Sequence, residues 1–254
     1  MEIKKVAVIG AGLMGSGIAA QVANAGFPVT LLDIVPDGAS NRNVIAESAV
    51  SKMLKPAKLG SPTPLMHRRN AKRITTGNIE DNLDFIKDAD LIIEVVLERL
   101  DVKHDVFRKI EKFRKKGSII TSNTSTIPRE QLVEGMSESF TKDFMITHFF
   151  NPPRYLRLLE IVSGSEVSLE KVQIVSDFCD ISLGKEVVVC NDTPGFIGNR
   201  IGTYWTLVGM VEAVKSGLTV EEADAVMSRP IGCLLYTSDA ADDLLCVDLG
   251  GRRI

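Results

Sequence analysis

Residues 5–33 constrain the fold of this chain more than any other stretch. They read in order as an apolar run, a glycine-rich turn, a helix-like segment, a second apolar run and an acid. The first run, residues 6–9, is apolar without alternation, which is typical of a parallel strand covered on both faces. We therefore predict a strand, a helix and a second strand belonging to a parallel α/β sheet.

The turn between the first predicted strand and its helix has the pattern G-x-G-x-x-G. Gly10 permits a tight turn, Gly12 lets a pyrophosphate approach the backbone, and Gly15 lets the helix pack close to the strand. The N-terminal end of the helix would favour an anion, because its free N–H groups and its dipole are positive there. The predicted contacts to a dinucleotide are Gly10, Gly12, Leu13, Met14 and Gly15.

An acid, Asp33, closes the second predicted strand. It follows the glycine turn by about 20 residues, the spacing expected for the carboxylate that binds the adenosine ribose. Residues 34–36 offer no adjacent Arg or Lys to accept a 2′-phosphate, which favours NAD over NADP. The alternative is a strand, turn and helix without a ligand, but strand, spacing and acid together argue against it.

Composition narrows the class of protein further. The chain of 254 residues is 44% hydrophobic and 25% charged, as globular proteins are. Its net charge of −3 gives no electrostatic reason to expect nucleic acid or an anionic membrane as a partner. Because the N-terminus runs directly into a strand and no apolar run could span a bilayer, we expect a soluble, cytoplasmic protein. The four cysteines lack metal-binding spacing, so no metal site is predicted.

Further strand and helix patterns follow along the chain. The strands predicted after Asp33 are residues 73–76, 91–96, 117–121, 144–148, 158–162 and 186–189, and the predicted helices are residues 43–54, 101–113 and 168–183. Residues 191–195 read as a hinge, and a long amphipathic helix is predicted from residue 196 to about 217. The predicted fold class is therefore α/β, a Rossmann-like, doubly wound and mainly parallel sheet, followed by the start of an all-helical second domain.

Two regions carry residues suited to proton transfer. Residues 122–126 are small and polar and follow a predicted strand, where open parallel sheets bind ligands. His148 ends a later strand, and Glu160 lies on the next one. Oxidation of a secondary alcohol needs a base for the hydroxyl proton while hydride leaves for a nicotinamide, and histidine can accept a proton near neutrality. A carboxylate beside the imidazole would fix its tautomer. The alternative for His148 is a purely structural role.

Several motifs, taken together, resemble the 3-hydroxyacyl-CoA dehydrogenase family of fatty-acid β-oxidation and occur in that family's order. They are residues 10–19, 93–98, 122–125, 148–152 and 192–196. The resemblance covers about residues 3–232 and is greatest to bacterial multifunctional members, in which a crotonase-type domain follows the dehydrogenase. It implies NAD as cofactor, an acyl-CoA as substrate, and oxidation of 3-hydroxyacyl-CoA to 3-oxoacyl-CoA.

The same resemblance assigns roles to individual residues. The catalytic set that it implies is Ser125, His148, Glu160 and Asn199. The further cofactor contacts that it implies, near the nicotinamide or its ribose, are Glu94, Glu98, Lys103 and Asn123. As alternatives, Ser125 and Asn199 could cap a turn or a helix, and Glu98 and Lys103 could be charges on a solvated loop and helix start.

The predicted domain boundaries are residues 1–190 for the NAD-binding Rossmann domain and 191–232 for the start of a truncated helical domain. Residues 233–254 depart from the family pattern and resemble a translated sequencing adapter, so we predict a non-native tail. Any homo-oligomer would form through the missing helical domain. Two other functions stay open: a catalytically impaired NAD-binding fragment, and a related NAD-dependent hydroxy-acid dehydrogenase. The latter would typically use a lysine on the interdomain helix, where this chain has Asn199 and Arg200.

Overall fold

One eight-stranded sheet organises the first part of the computed structural model, which describes residues 2–55 and 63–227. Its strands are β1 (Val6–Ile9), β2 (Val29–Asp33), β3 (Ile74–Asn78), β4 (Leu91–Glu94), β5 (Ile119–Ser122), β6 (Phe144–Phe149), β7 (Leu158–Ser163) and β8 (Glu186–Val189). Their order across the sheet is β3-β2-β1-β4-β5-β6-β7-β8. Neighbouring strands are parallel except for β6 and β7, which are antiparallel. The predicted Rossmann-like, mainly parallel sheet is confirmed.

Helices connect these strands and cover the sheet. They are α1 (Leu13–Asn24), α2 (Val44–Leu54), α3 (Leu100–Phe113), α4 (Arg129–Val133), α5 (Glu138–Asp143) and α6 (Leu169–Asp177). Short 3-10 helices span Arg68–Arg73 and Leu83–Asp88. The helix predicted over residues 168–183 is correct in position but not uniform. A π-helical turn, Phe178–Ser182, continues α6, because the N–H of Leu183 donates to the carbonyl of Phe178.

The central strands are buried on both faces, which explains their unalternating apolar sequences. Every residue of β1 has 0% exposure, and β4 and β5 are buried throughout. The α3 helix packs on the sheet through Val106, Phe107 and Ile110. Its Phe107 ring lies 5.2 Å from the ring of Phe144 on β6. The packing of α3 on the sheet holds these strands in place, and the candidate site lies at their ends.

The carboxyl ends of the parallel strands meet at one edge of the sheet. The chain runs outward from β1 to β3 and then crosses back to place β4 on the other side of β1. This reversal is a topological switch point, where open α/β sheets bind ligands. In the register, Ile9 at the end of β1 faces Glu94 at the end of β4. The glycine turn and Glu94 therefore lie next to each other.

A second compact unit begins at Thr193. Its described part contains α7 (Gly198–Lys215) and α8 (Val220–Met227). Several large apolar side chains of α7 are exposed, among them Ile201, Tyr204 and Val214. The predicted non-native tail, residues 233–254, lies outside the described residues. Within the ranges that the structure describes, none of the helices has the length and apolar character needed to cross a membrane.

Candidate active site

The three glycines of the turn after β1 differ in why they are glycines. Gly10 has a φ of +110°, and a β-carbon there would lie 2.2 Å from the carbonyl oxygen of Val95. A β-carbon on Gly15 would lie 1.8 Å from the carbonyl oxygen of Gly10. A β-carbon on Gly12, in contrast, would have no described atom within 4 Å. The fold itself requires Gly10 and Gly15, whereas the open space at Gly12 fits a pyrophosphate that approaches the backbone.

Gly12→Ala and Gly15→Ala are therefore expected to fail in different ways. Gly12→Ala should unfold at the same temperature as the wild type but bind NADH about tenfold more weakly, because the methyl group occupies ligand space. Gly15→Ala should lower the unfolding temperature, because the turn must move to relieve the overlap. Thermal unfolding and NADH fluorescence titration of both variants test this. Wild-type NADH affinity in Gly12→Ala would show that no ligand approaches this position.

The N-terminal end of α1 is prepared for an anion. Gly12 precedes the helix and supplies no side-chain cap, and the first turn contains no acidic residue. Leu13 is 57% exposed, whereas Met14 is half-buried against the core. The positive end of the helix dipole is therefore not neutralised by the side chains of its own first turn. Leu13 and Met14 were both predicted to contact the cofactor, and Leu13 is the one of these two that lies at the open surface.

Asp33 lies beside the glycine turn, where the spacing in the sequence predicted it. Its Oδ2 accepts a hydrogen bond from the backbone N–H of Ala11, and its Oδ1 accepts one from the N–H of Ile34 at 2.7 Å. These bonds fix the carboxylate at the end of β2. The turn, the helix end and this acid together fit a dinucleotide with its pyrophosphate at the turn and its adenosine ribose at Asp33.

His148 and Glu160 form a buried pair across the antiparallel strands β6 and β7. The two residues are register partners, so their side chains project from the same face of the sheet. Nδ1 of His148 lies 2.7 Å from Oε2 of Glu160, which has 0% exposure. With a carboxylate at Nδ1, Nε2 is the ring nitrogen that we expect to exchange a proton if His148 is the catalytic base. The ring of Phe150 lies 4.5 Å from the imidazole, centroid to centroid, and restricts its rotation.

Glu98 holds the polar loop that follows β5. Its Oε1 accepts hydrogen bonds from the backbone N–H groups of Ser125 and Thr126 at 3.1 and 3.2 Å, and from the hydroxyl groups of Thr124 and Thr126. Burial alone would raise the pKa of Glu98, but the charge of Lys103 and these hydroxyl groups outweigh it and lower the pKa. The ionised carboxylate is thus the form that fixes the loop carrying Ser125.

Lys103 lies between two acids and is almost fully buried. Its Nζ donates to both carboxylate oxygens of Glu94, at 2.8 and 3.1 Å, and lies 3.2 Å from Oε2 of Glu98. The side chains of Lys103 and Glu98 are 1% and 27% exposed. The alternative of solvated surface charges for Glu98 and Lys103 is therefore wrong, because α3 packs this part of the chain against the end of β4.

Glu94 lies beneath the site and not at its surface. It has 0% exposure, and besides Lys103 it accepts hydrogen bonds from the hydroxyl of Ser122 and the N–H of Val96. Asn123 lies next to it in the site. The side-chain oxygen of Asn123 accepts a hydrogen bond from the N–H of Phe149 at 2.9 Å. Asn123 thereby links the polar loop to the strand that carries His148.

Asn199, the fourth residue of the predicted catalytic set, lies in the first turn of α7 and is buried. It belongs to the second unit, so its role beside His148 stays a prediction. Sequence reasoning missed Lys185, which is 1% exposed and donates through Nζ to the carbonyl oxygens of Pro153 and Leu156. Burial lowers the pKa of Lys185 to about 8. Nothing in its sequence neighbourhood signals that it supports the loop after His148.

Comparison with known families matches residues 5–193 to the model described as 3-hydroxyacyl-CoA dehydrogenase, NAD binding domain. The chain belongs to the 3-hydroxyacyl-CoA dehydrogenase family. The match confirms the resemblance drawn from the combined motifs, and it confirms NAD as the cofactor of this domain.

Individual relatives agree with the family match. A probable 3-hydroxyacyl-CoA dehydrogenase of Deinococcus radiodurans is 45% identical over 249 residues, covering 98% of this chain and 71% of the relative. A second, from Bacillus subtilis, is 45% identical over 245 residues, covering 91% of this chain and 30% of the relative. The chain thus spans under a third of that longer relative. Among solved structures, M. tuberculosis FadB2 has a TM-score of 0.74 at 28% identity, covering 91% of this chain and 80% of that chain.

Proposed function

We propose that this chain carries out NAD-dependent oxidation of 3-hydroxyacyl-CoA to 3-oxoacyl-CoA in fatty-acid β-oxidation. The observation that supports this most is the buried His148–Glu160 pair. It lies on the same sheet as the glycine turn and is tied by Asn123 to the loop that carries Ser125. A proton acceptor, a hydroxyl donor and a dinucleotide cradle are the groups that oxidation of a secondary alcohol needs.

In the proposed mechanism, the glycine turn, the N-terminal end of α1 and Asp33 would hold NAD, and the cofactor would supply the acceptor for the hydride that leaves the carbinol carbon. Nε2 of His148 takes the hydroxyl proton as the carbon–oxygen double bond forms. Glu160 stabilises the resulting imidazolium, because its carboxylate lies at Nδ1. The hydroxyl of Ser125 donates a hydrogen bond to the substrate oxygen and orients it toward His148.

The charged cluster of Glu94, Lys103 and Glu98 would act on the cofactor and on the loop. Glu98 is the partly exposed member, so we assign to it any contact with the nicotinamide ribose. Glu94 and Lys103 would act through it, because their own charged atoms are buried. We also assign to Asn199 a second hydrogen bond to the substrate oxygen.

Reduction of acetoacetyl-CoA by NADH, measured as the loss of NADH absorbance, tests the proposal. We expect turnover with acetoacetyl-CoA and little or none with free acetoacetate, which lacks the CoA part. NADH binding measured separately by fluorescence distinguishes the alternatives. Binding without turnover would support the NAD-binding fragment, and preference for the free acid would support a hydroxy-acid dehydrogenase.

A further inference from the structure

An arginine lies at the adenosine end of the proposed cofactor site, although residues 34–36 contain no base. Arg42 lies in the loop between β2 and α2, and its partner Asp81 follows the carboxyl end of β3. The link is Asn78, the last residue of β3 and the register partner of Asp33. The amide of Asn78 donates to Oδ1 of Asn43 at 2.7 Å and to Oδ2 of Asp81 at 3.0 Å. Asp81 and Asn43, the residue after Arg42, are therefore joined through Asn78 to the strand edge that carries the predicted ribose-binding acid.

Asp81 holds the guanidinium of Arg42 through two hydrogen bonds. Nε of Arg42 lies 2.6 Å from Oδ2 of Asp81, and Nη2 lies 3.0 Å from Oδ1. These bonds raise the pKa of Arg42 and lower that of Asp81. Asp81 is itself fixed, because its N–H donates to Oδ1 of Asn78 at 2.7 Å. A bidentate pair of this geometry occupies the Nε and Nη2 edge of the guanidinium, one of its two edges that can bind a phosphate, and it offsets the positive charge.

A further carboxylate increases the negative charge of this edge. Oε2 of Glu80 accepts a hydrogen bond from the N–H of Val35, in the loop that follows Asp33. Asp81 and Glu80 thus set two carboxylates beside the guanidinium of Arg42, and Asp33 adds a third at the same edge of the sheet. A cofactor that carries a 2′-phosphate would bring about two more negative charges to this edge.

We propose that the Arg42–Asp81 pair is a second determinant of cofactor choice: Asp81 withholds from a 2′-phosphate an arginine placed to bind it. Asp33 repels the 2′-phosphate, and Asp81 pairs with the guanidinium of Arg42 that would otherwise bind this phosphate. The inference builds on the assignment of the dinucleotide to the glycine turn and Asp33. It concerns binding only, so its test is independent of the proposed reaction.

Fluorescence titrations with NADH and NADPH should be made on the wild type, Asp33→Ala, Asp81→Asn and the double variant. Asp33→Ala should weaken the binding of NADH and reduce the ratio of NADH affinity to NADPH affinity. The double variant should bind NADPH about tenfold more tightly than Asp33→Ala does, which is the effect of one charge-assisted hydrogen bond. Adding Arg42→Ala to the double variant should abolish this gain. Asp81→Ser removes the same carboxylate and serves if Asp81→Asn does not fold.

Asp105→Asn in the Asp33→Ala background is the matched control. It changes the net charge by the same amount and releases Arg108, which is paired with Asp105 at 2.8 Å on α3. The control should leave NADPH affinity unchanged. An equal gain in the control, a gain that survives Arg42→Ala, or no gain from Asp81→Asn would each overturn the proposal.

Discussion

His148→Gln is expected to lower turnover by at least about 100-fold in a form of the protein that reduces acetoacetyl-CoA, since glutamine cannot exchange the proton. NADH affinity should change little, because the glycine turn and Asp33 are unaffected. Steady-state rates and NADH titration of the same preparations measure the two effects separately.

Two further variants show whether the loss belongs to the proposed chemistry. Glu160→Gln should reduce turnover less than His148→Gln, because the imidazole remains but is less well oriented. His67→Gln is the control, since His67 is exposed and its Nδ1 accepts a hydrogen bond from the N–H of Arg69. Turnover of His148→Gln within a few-fold of His67→Gln would remove His148 from the catalytic role.

The sheet could be predicted from the sequence because its central strands are continuous apolar runs. The strands around the switch point follow from this pattern and from the glycine turn alone. Boundaries were less predictable where backbone conformation decides them. The strand expected from residue 117 begins at Ile119, because Gly117 adopts a φ of +84° in a turn. The change from α to π hydrogen bonding after Asp177 has no signal in the apolar spacing.

The candidate site was predictable in its parts and in the His148–Glu160 pair, but not in its other connections. The strand ends predicted that His148 and the polar loop lie at one edge, and the position of Glu160 on the next strand predicted a carboxylate beside the imidazole, which the register of β6 and β7 confirms. Charged residues next to the start of a helix are usually exposed to solvent, and Glu98 and Lys103 have that local pattern. Their burial comes from the packing of α3 on distant strands, which a local pattern does not contain. The Arg42–Asp81 pair depends in the same way on the folding of β3 beside β2.

Lys103→Met is expected to destabilise the first unit by about 3–5 kcal/mol, the usual cost of leaving a buried charge without its partner. The substitution would leave Glu94 fully buried and Glu98 largely so, with no ammonium between them. Lys109→Met, on the exposed face of the same helix, is the control and should change stability by less than about 0.5 kcal/mol. Urea unfolding of the two variants beside the wild type measures the difference.

The pH dependence of this effect follows from Glu98. Since its folded pKa lies below the ordinary value, the ionised carboxylate stabilises the wild type above that ordinary value, and this contribution is lost as the pH falls through the folded pKa. Lys103→Met removes the charge that lowers the pKa, so stability should fall less steeply in acid than it does in the wild type. Adding Glu98→Gln should recover part of the lost stability near neutral pH, because one of the two uncompensated carboxylates is then neutral. If Lys103→Met instead unfolds at the same urea concentration as Lys109→Met, the cluster contributes no stability, and the proposal of a buried, stabilising charge cluster would be wrong.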